Sequence, residues 1–336
     1  LDTGRADVQA DIAALRADPA APVSTTPGRL VAGLLARRAA GAPPLTIVPC
    51  DNLPENGPAL RAVVTDLADA VDPTLSAWAA TAVAFATTMV DRITPATTDE
   101  HRAAVLAATG VVDASPVPTE PFSEWVVQGT FPAGRPAWEA AGARVVDDVL
   151  PFEQRKLWLL NGSHSLLAYA GTILGHETVA DAIADPVALS WVEEWWDEAS
   201  AHLSLPATDV ADYRRALIER FQNPSIRHSL AQIAADGSQK IAVRILPTLR
   251  AERAARRVPR GAARAVAAWV MHLRGLGAPV KDAQADVVSG FGTGTLEQSV
   301  DKVLAFLGAD LAADQAVRSV VLEQAELLAA AATGAR

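Results

Sequence analysis

The first part of the chain alternates between apolar patterns of helical type and of strand type. Leucines recur at helical spacing over residues 26–40 and Gly41 follows them as a stop signal, so a helix is predicted there. The short apolar run 45–49 has the length and composition of a buried strand, and Pro58 suits the first turn of a further helix. Helix, strand, turn and helix together predict an α/β unit.

A second strand is predicted over residues 82–90, after a short helix over residues 74–80. A polar residue follows each predicted strand: Asn52 comes after the first and Asp91 after the second. Because ligands bind outside the carboxyl ends of parallel strands in open sheets, Asn52 and Asp91 are predicted to share one site. The alternative for Asp91 is a structural cap on the end of its strand.

The pattern changes in the second half of the chain. Residues 95–150 mix prolines with aromatic residues, and we interpret them as the end of the first domain and its connection. Beyond residue 150, alanine and leucine recur at helical spacing and strand signals are few. Since a domain usually holds about 100 to 200 residues, the chain is predicted to form two domains, 1–150 and 151–336, of which the second is all-α.

Charge and cysteine content narrow the possible functions. The 336 residues carry a net charge of -10, which argues against nucleic acid as a partner because phosphate binding needs clustered Lys and Arg. The single cysteine, Cys50, cannot form an internal disulfide, so a reducing compartment, the cytoplasm, is predicted.

The six histidines are scattered, so no metal site is predicted. The uncharged run 73–90 is diluted by small polar residues and is interpreted as buried helix plus strand, with no membrane partner.

The densest set of chemically useful side chains begins just after a proline. It reads Glu153-Gln-Arg-Lys156-Leu-Trp-Leu-Leu-Asn161-Gly-Ser-His164. On an ideal α-helix, at about 100° per residue, Glu153, Lys156, Asn161 and His164 fall within one arc of ~140°. A polar stripe on an otherwise apolar helix predicts a cleft filled by water or ligand. The alternative is a solvated helix face with a satisfied histidine.

Several separate blocks make the chain similar to one known family. The sequence resembles the mannitol dehydrogenase family, the long-chain, metal-free polyol dehydrogenases that include mannitol 2-dehydrogenase and fructuronate reductase. The resemblance covers nearly the whole chain. Its blocks, in order, are Cys50-Asp-Asn-Leu-Pro-Glu-Asn-Gly57, Met89-Val-Asp-Arg-Ile-Thr-Pro95, Phe131-Pro-Ala-Gly-Arg-Pro136, Lys156-x4-Asn161-x2-His164 and Asp236-Gly-Ser-Gln-Lys240.

The resemblance implies hydride transfer between NAD or NADP and the C2 position of a sugar alcohol or sugar acid, without metal. Oxidation of a secondary alcohol needs a base near neutral pKa, and Lys156 matches the family's catalytic lysine. Asn161 and Asn52 match the carboxamides that bind the developing alkoxide, a task suited to neutral donors held in place. His164 matches the histidine that contacts a sugar hydroxyl.

Three further positions belong to the predicted site. Asp91 and Lys240 fall in blocks near the substrate cleft, although Lys240 could be an ordinary surface lysine. Glu153 could tune the pKa of Lys156 or pass protons to solvent, or be a plain helix-surface carboxylate. Gln232 stands eight residues before Lys240, where some mannitol dehydrogenases carry arginine. Fructuronate-reductase-like members of the family resemble the Gln form. The first expected substrates are mannitol and fructose, with mannonate and fructuronate, the substrates of a fructuronate reductase, close behind.

The chain has no strand followed by a glycine-rich turn and a helix, the usual fingerprint for a dinucleotide. The resemblance implies that this fingerprint precedes the first residue, so residues 1–150 are expected to be the second part of a Rossmann-type domain, and cofactor-binding residues are not assigned. The glycines of 290–294 are interpreted as a loop between helices. The expected partner is a small polyol or sugar acid, and the expected state is a monomer or weak oligomer. A non-catalytic sugar-binding or interaction module remains the alternative if the chain is naturally short.

Overall fold

The computed structural model describes residues 4–334, which form two compact units. Unit 1 consists of residues 4–92 and 122–153, and unit 2 of residues 93–121 and 154–334. Residues 93–121, interpreted from the sequence as part of the first domain, thus lie in unit 2.

Unit 1 mixes helices with short strands. Its elements are α1 (Ala6–Ala17), α2 (Thr26–Ala39), β1 (Leu45–Ile47), α3 (Asn56–Val71), α4 (Pro73–Ala82), β2 (Val83–Phe85), β3 (Thr87–Asp91), β4 (Glu124–Gln128), a 3-10 turn (Trp138–Ala141) and β5 (Arg144–Val145). Helix α6 (Leu150–Arg155) begins in the last residues of unit 1 and ends in unit 2.

The first sheet is a parallel pair. β1 and β2 pair in parallel with Leu45 opposite Val83, and α3 and α4 form the connection between them. A crossover of this kind is what parallel pairing requires. The core of unit 1 packs against Leu45 and Ile47 of β1 and Phe85 of β2. It is built from apolar residues of α1 to α4 and β2: Val8, Ile12, Leu15, Val31, Leu34, Leu35, Val64, Leu67, Ala68, Leu75 and Val83. The predicted α/β class of this part of the chain is confirmed.

The prediction of one strand over residues 82–90 is wrong, because the run divides at Ala86 into β2 and β3. Ala86 still donates its N–H to the Ile47 carbonyl, at 2.9 Å. Two glycines crowd the same residue: a Cβ on Gly57 would lie 2.3 Å from the Ala86 oxygen, and one on Gly129 would lie 2.9 Å from the Ala86 Cβ. The absence of a side chain at Gly57 and Gly129 therefore lets these two segments pack closely against Ala86, where the chain passes from the first sheet to the second.

β3 belongs to a second sheet, in the order β3-β4-β5. It pairs antiparallel with β4, Asp91 standing opposite Glu124, and β4 pairs in parallel with β5. The reason given for placing Asn52 and Asp91 at one site, that they follow neighbouring parallel strands, is therefore wrong.

A buried ion pair ties residues 93–121 into unit 2. Both oxygens of Glu120 are bound by Arg220, from Nη2 at 2.8 Å and from Nε at 3.0 Å, and the Ile93 N–H donates to the same carboxylate at 2.6 Å. A bidentate Arg–carboxylate pair is among the stronger polar contacts in proteins, and here it fixes both ends of the segment. The segment carries one helix, α5 (Asp99–Thr109).

From residue 154 to 334 the ordered elements are helical apart from one isolated bridge between Thr178 and Ser229. This confirms the predicted all-α class. The α-helices are α7 (Ser163–Leu166), α8 (Val179–Ala184), α9 (Pro186–Ser200), α10 (Ala207–Phe221), α11 (Leu230–Ile233), α12 (Gly237–Arg244), α13 (Leu246–Ala254), α14 (Arg260–Leu273), α15 (Ala285–Val288), α16 (Leu296–Leu307), α17 (Ala309–Ala313) and α18 (Gln315–Gly334). Within residues 4–334, no helix combines the length and apolarity needed to cross a bilayer.

Helix α14 is the centre of unit 2. Every residue from Gly261 to His272 is buried, and the helix contacts α18, α9 and α16. Small residues let the neighbours approach closely, since a Cβ on Gly261 would lie 2.8 Å from the Trp195 Cα. Apolar residues all round a helix indicate a central position of this kind.

A carboxylate caps the start of α14. The two oxygens of Glu198 accept hydrogen bonds from the N–H groups of Gly261 and Ala262, each at 2.8 Å. Burial raises the pKa of the Glu198 carboxyl to about 7, against the opposing effect of those two N–H groups.

This raised pKa predicts a pH-dependent stability. Between the unfolded pKa of 4.5 and the folded value of about 7, the folded state holds the Glu198 proton more tightly than the unfolded state. Stability is then lost as pH rises through that window. We expect the free energy of unfolding to fall by about 1 kcal/mol more in the wild type than in Glu198→Gln, a value reduced for partial exposure of the side chain. Urea titrations of both proteins at several pH values measure this, and parallel pH profiles would contradict it.

Candidate active site

The helix that carries the predicted catalytic residues is not a regular α-helix. After α6 it widens into a π-helix over Lys156–Gly162, returns to α-geometry in α7, and widens again over Leu167–Gly171. The angular positions calculated for an ideal α-helix are therefore wrong for Asn161 and His164. π-Helical turns are rare and occur often at functional sites.

Side chains from α9 hold the first wide turn in place. The indole N–H of Trp195 donates to the Trp158 carbonyl at 2.9 Å, and that of Trp196 donates to the Leu159 carbonyl at 3.0 Å. Gly162 lets this contact form, because a Cβ there would lie 2.7 Å from the Trp195 ring. Two buried indole donors and one glycine thus stabilise a backbone shape that helical propensity alone would not favour.

One continuous helical stretch of unit 2 carries Lys156, Asn161 and His164. Lys156 is 9% exposed and His164 6% exposed, while Asn161 is partly exposed. The imidazole of His164 lies 5.1 Å from the Phe221 ring and 5.0 Å from the His228 ring, measured between centroids. A buried amine, a carboxamide and an imidazole therefore lie on one short stretch of backbone.

His164 is held in its neutral form. Burial lowers its pKa well below the usual value, and the nearby charges of His228, Arg244 and Arg220 act in the same direction. Its Nε2 atom is buried and makes no hydrogen bond to any residue between 4 and 334. Buried polar atoms are nearly always paired, so an unpaired one in this position suits a ligand hydroxyl.

Lys240 lies on α12, a helix that contacts the widened turn. Its Nζ donates to the carbonyls of Ile233 and Ala235, at 3.1 and 2.6 Å. Burial lowers its pKa, and Arg244 adds to the effect. Two of the donor hydrogens of this predicted substrate-binding lysine are therefore bound by backbone carbonyls.

The block Asp236-Gly-Ser-Gln-Lys240 forms the start of α12. Asp236 adopts a left-handed conformation with φ of 57°, and the carboxylate of Asp282 accepts from the Ser238 N–H at 2.9 Å. A Cβ on Gly237 would lie 2.3 Å from the Trp269 Nε1 atom and 2.6 Å from the Tyr169 hydroxyl. The glycine of this motif thus lets the start of α12 pack closely against Trp269 and Tyr169.

Arg244, at the end of α12, is a site residue that the sequence reasoning missed. Its Nη1 donates to the Asn161 carbonyl at 3.3 Å and to the Ser165 hydroxyl at 3.2 Å. Burial lowers the pKa of its guanidinium to about 10. Its position four residues after Lys240, one helical turn, was the signal available in the sequence.

The other predicted residues lie in unit 1. Asn52 is exposed on the loop between β1 and α3, and Asp91 is buried at the end of β3. Glu153, on α6, accepts a long hydrogen bond of 3.5 Å from the Glu55 N–H.

Asn56 organises the loop that carries Asn52. Its buried side chain donates to the carbonyls of Asp51 and Thr88, at 3.0 and 2.9 Å, and accepts from the Thr88 N–H at 3.0 Å. The carboxamide therefore joins the loop after β1 to the backbone of β3. Its place inside the block Cys50–Gly57 was the only sequence signal for it.

Replacing Asn56 with alanine is expected to lower the free energy of unfolding by about 2 kcal/mol, because buried backbone groups of Thr88 and Asp51 lose their partners. Asn223→Ala serves as the control, because this half-buried carboxamide accepts only a local hydrogen bond from the Ser225 N–H, and a smaller change of about 0.5 to 1 kcal/mol is expected. Denaturant titration measures both. Equal stability of Asn56→Ala and the wild type would show that the carboxamide does not hold the loop.

Across residues 4–334, no three His, Cys, Asp or Glu side chains are grouped so that they could hold a metal ion.

Comparison with known families gives two matches that together span most of the chain. Residues 8–140 match the mannitol dehydrogenase Rossmann domain, and residues 148–328 match the mannitol dehydrogenase C-terminal domain. The resemblance inferred from the sequence blocks is confirmed.

Curated relatives agree with these matches. An uncharacterised oxidoreductase of Escherichia coli K12, YdfI, is 45% identical over 227 residues, 67% of this chain and 47% of that protein. The D-mannonate oxidoreductase of the same organism is 42% identical over 261 residues, 77% of this chain and 54% of that protein. The chain thus spans about half the length of these relatives.

Among solved structures, mannitol 2-dehydrogenase of Pseudomonas fluorescens, in a ternary complex with NAD and D-mannitol, is similar with a TM-score of 0.79 and 33% identity. The match covers 99% of this chain and 69% of that one.

Proposed function

Because this chain belongs to the mannitol dehydrogenase family, we propose that it takes part in reversible hydride transfer between NAD or NADP and the C2 position of a sugar alcohol or sugar acid. The observation that carries the proposal is the set of a buried lysine, a carboxamide and a neutral buried histidine on one widened helix. Together these groups can move a proton, bind a developing alkoxide and recognise a sugar hydroxyl.

In the oxidation direction the Lys156 amine accepts the hydroxyl proton as hydride leaves the same carbon. In reduction its ammonium returns the proton to the carbonyl oxygen. A general base or acid of this kind contributes roughly 10²- to 10⁴-fold in rate.

The carboxamide N–H groups of Asn161 bind the oxygen as negative charge develops on it, and the resemblance assigns Asn52 the same task. The neutral His164 exchanges a hydrogen bond with a neighbouring hydroxyl of the substrate. Asp91 and Lys240 are assigned to substrate binding and Glu153 to proton relay.

The cofactor proposal rests on the parallel pair β1–β2, because nucleotides bind outside the carboxyl ends of such strands in open α/β sheets, and β1 ends in the loop of residues 48–55. Bound nicotinamide supplies the hydride acceptor. The Pseudomonas relative is a complex with NAD, which supports NAD without excluding NADP here. Residues 1–150 are proposed as the second part of the nucleotide-binding domain and 151–336 as the substrate domain.

The experiment is a substrate panel. The full protein is assayed with six-carbon polyols and aldonates, with NAD and with NADP, in the presence of EDTA because no metal is proposed. Formation of reduced cofactor with at least one substrate is expected. Sugar binding without any turnover would favour the non-catalytic module, and loss of turnover on adding EDTA would refute the metal-free reaction.

A second candidate is a fructuronate reductase acting on mannonate and fructuronate. Two observations favour it: Gln232 stands where some mannitol dehydrogenases have arginine, and the E. coli D-mannonate oxidoreductase is 42% identical. We propose the cytoplasm as the location, and a monomer or weak oligomer as the state.

A further inference from the structure

Arg244 carries a positive charge that no carboxylate of residues 4–334 neutralises. Both hydrogen bonds of its guanidinium leave from Nη1 and end on neutral oxygens, the Asn161 carbonyl and the Ser165 hydroxyl. Arg220, in the same unit, shows the usual alternative, with its Nε and Nη2 bound to the carboxylate of Glu120. Arg244 is half-buried, and burial lowers the pKa of its guanidinium. A charge that is partly removed from water and lacks a carboxylate partner suits an anionic ligand.

The two acids at the start of α12 are already engaged. Asp282 accepts hydrogen bonds from the N–H and hydroxyl of Ser238, and from the Gln284 N–H. Asp236 accepts from the Ala283 N–H at 2.9 Å. Both carboxylates are thus bound at the start of the helix, Asp282 to Ser238 and Asp236 to Ala283, while Arg244 lies at its other end.

The edge of the Arg244 guanidinium formed by Nε and Nη2 has the geometry that binds a carboxylate. Nη1 is turned toward the catalytic helix, and Nε and Nη2 donate to nothing within the described range. Those two nitrogens form the side of the fork that binds a carboxylate through two parallel hydrogen bonds. Nη1 donates to the Asn161 carbonyl, and His164 lies close enough for Arg244 to lower its pKa, so the guanidinium lies near both groups that are proposed to bind the sugar.

We propose that Arg244 binds the carboxylate of a sugar-acid substrate, so that the chain acts on aldonates and keto-aldonates in preference to uncharged polyols. The inference rests on the proposed function and names its substrate class. Mannonate and mannitol differ only in one terminal carbon, a carboxylate in the first and a CH2OH group in the second. This pair therefore isolates the group that Arg244 would recognise.

The test compares Arg244→Gln with the wild type on D-mannonate and D-mannitol. Both kcat/KM and the equilibrium Kd, from calorimetry, are measured for each compound. The wild type is expected to prefer mannonate by at least about tenfold, and Arg244→Gln to lower kcat/KM for mannonate roughly 10- to 100-fold while changing mannitol less than about threefold. Arg256→Gln removes an exposed arginine whose side chain makes no hydrogen bond to the described residues, and is expected to change neither.

Two results would overturn the proposal. An equal loss for both compounds would make Arg244 a support for the Asn161 carbonyl, and a wild type that prefers mannitol would remove the carboxylate partner. If Arg244→Gln does not fold, Arg244→Lys takes its place, with an intermediate mannonate preference expected and an unchanged preference counting against a bidentate contact.

The binding measurement separates this inference from the proposed function. Tight mannonate binding that Arg244→Gln weakens, without turnover of either compound, would refute hydride transfer and support the carboxylate site. Turnover of both compounds without any effect of Arg244→Gln would do the reverse.

Discussion

Replacing Lys156 with alanine is expected to lower kcat by at least about 10³-fold, because the variant lacks the amine that is proposed to take the hydroxyl proton. His164 cannot replace it readily, since burial lowers the pKa of its imidazole well below the usual value. Steady-state assay with the best substrate of the panel measures the loss. Small primary amines in the buffer are expected to restore part of the rate, since they supply the missing base.

Lys302→Ala is the matched control, because this lysine is exposed and its ammonium donates to the carbonyls of Gly290 and Thr293, in a loop between α15 and α16. Its kcat is expected to match the wild type. Circular dichroism and thermal unfolding establish whether Lys156→Ala keeps the fold. A folded Lys156→Ala protein with near-normal kcat would remove Lys156 as the base.

Replacing Gly162 with alanine is expected to lower the free energy of unfolding by about 3 kcal/mol, because the new methyl group meets a ring that cannot move freely. The Cβ would lie 2.7 to 2.9 Å from three atoms of Trp195, whose indole is fixed by its bond to the Trp158 carbonyl. Relief requires the wide turn to shift, and Asn161 precedes Gly162 directly. A fall in kcat is therefore expected together with the fall in stability.

Gly33→Ala provides the opposite control. Gly33 lies inside α2 with no atom within 4 Å of a new Cβ, so alanine is expected to stabilise the protein by about 0.5 to 1 kcal/mol. Denaturant titration of both variants gives the comparison. If Gly162→Ala is as stable as the wild type, the contact between Trp195 and the wide turn does not determine the shape of the helix.

The sequence predicts the elements whose signals are local. The helix predicted over residues 26–40 is α2, Thr26–Ala39, because the Thr25 hydroxyl accepts from the Gly28 N–H at its start. The all-α second half follows from helical periodicity in the same way. The family resemblance could be recognised from five short blocks in their expected order, although the chain carries no dinucleotide-binding fingerprint.

Features that depend on contacts distant in sequence could not be predicted. The widening of the catalytic helix requires the indole donors of Trp195 and Trp196, some 37 residues away in the chain. The break at Ala86 depends on Gly57 and Gly129, which approach it from two other segments. Arg244 looked like an ordinary helical arginine, because a missing counter-ion becomes visible only when its surroundings are known.

The most direct test of Lys156 as the base for hydride transfer is a label-transfer measurement. The substrate carries deuterium on the carbon that bears the reacting hydroxyl, and the reduced cofactor is analysed by mass spectrometry after reaction with wild-type and Lys156→Ala protein. Deuterium is expected in the nicotinamide ring with the wild type, at a rate at least about 10³-fold lower with the variant. Unlabelled cofactor with the wild type, or equal rates with the two proteins, would contradict the proposed reaction.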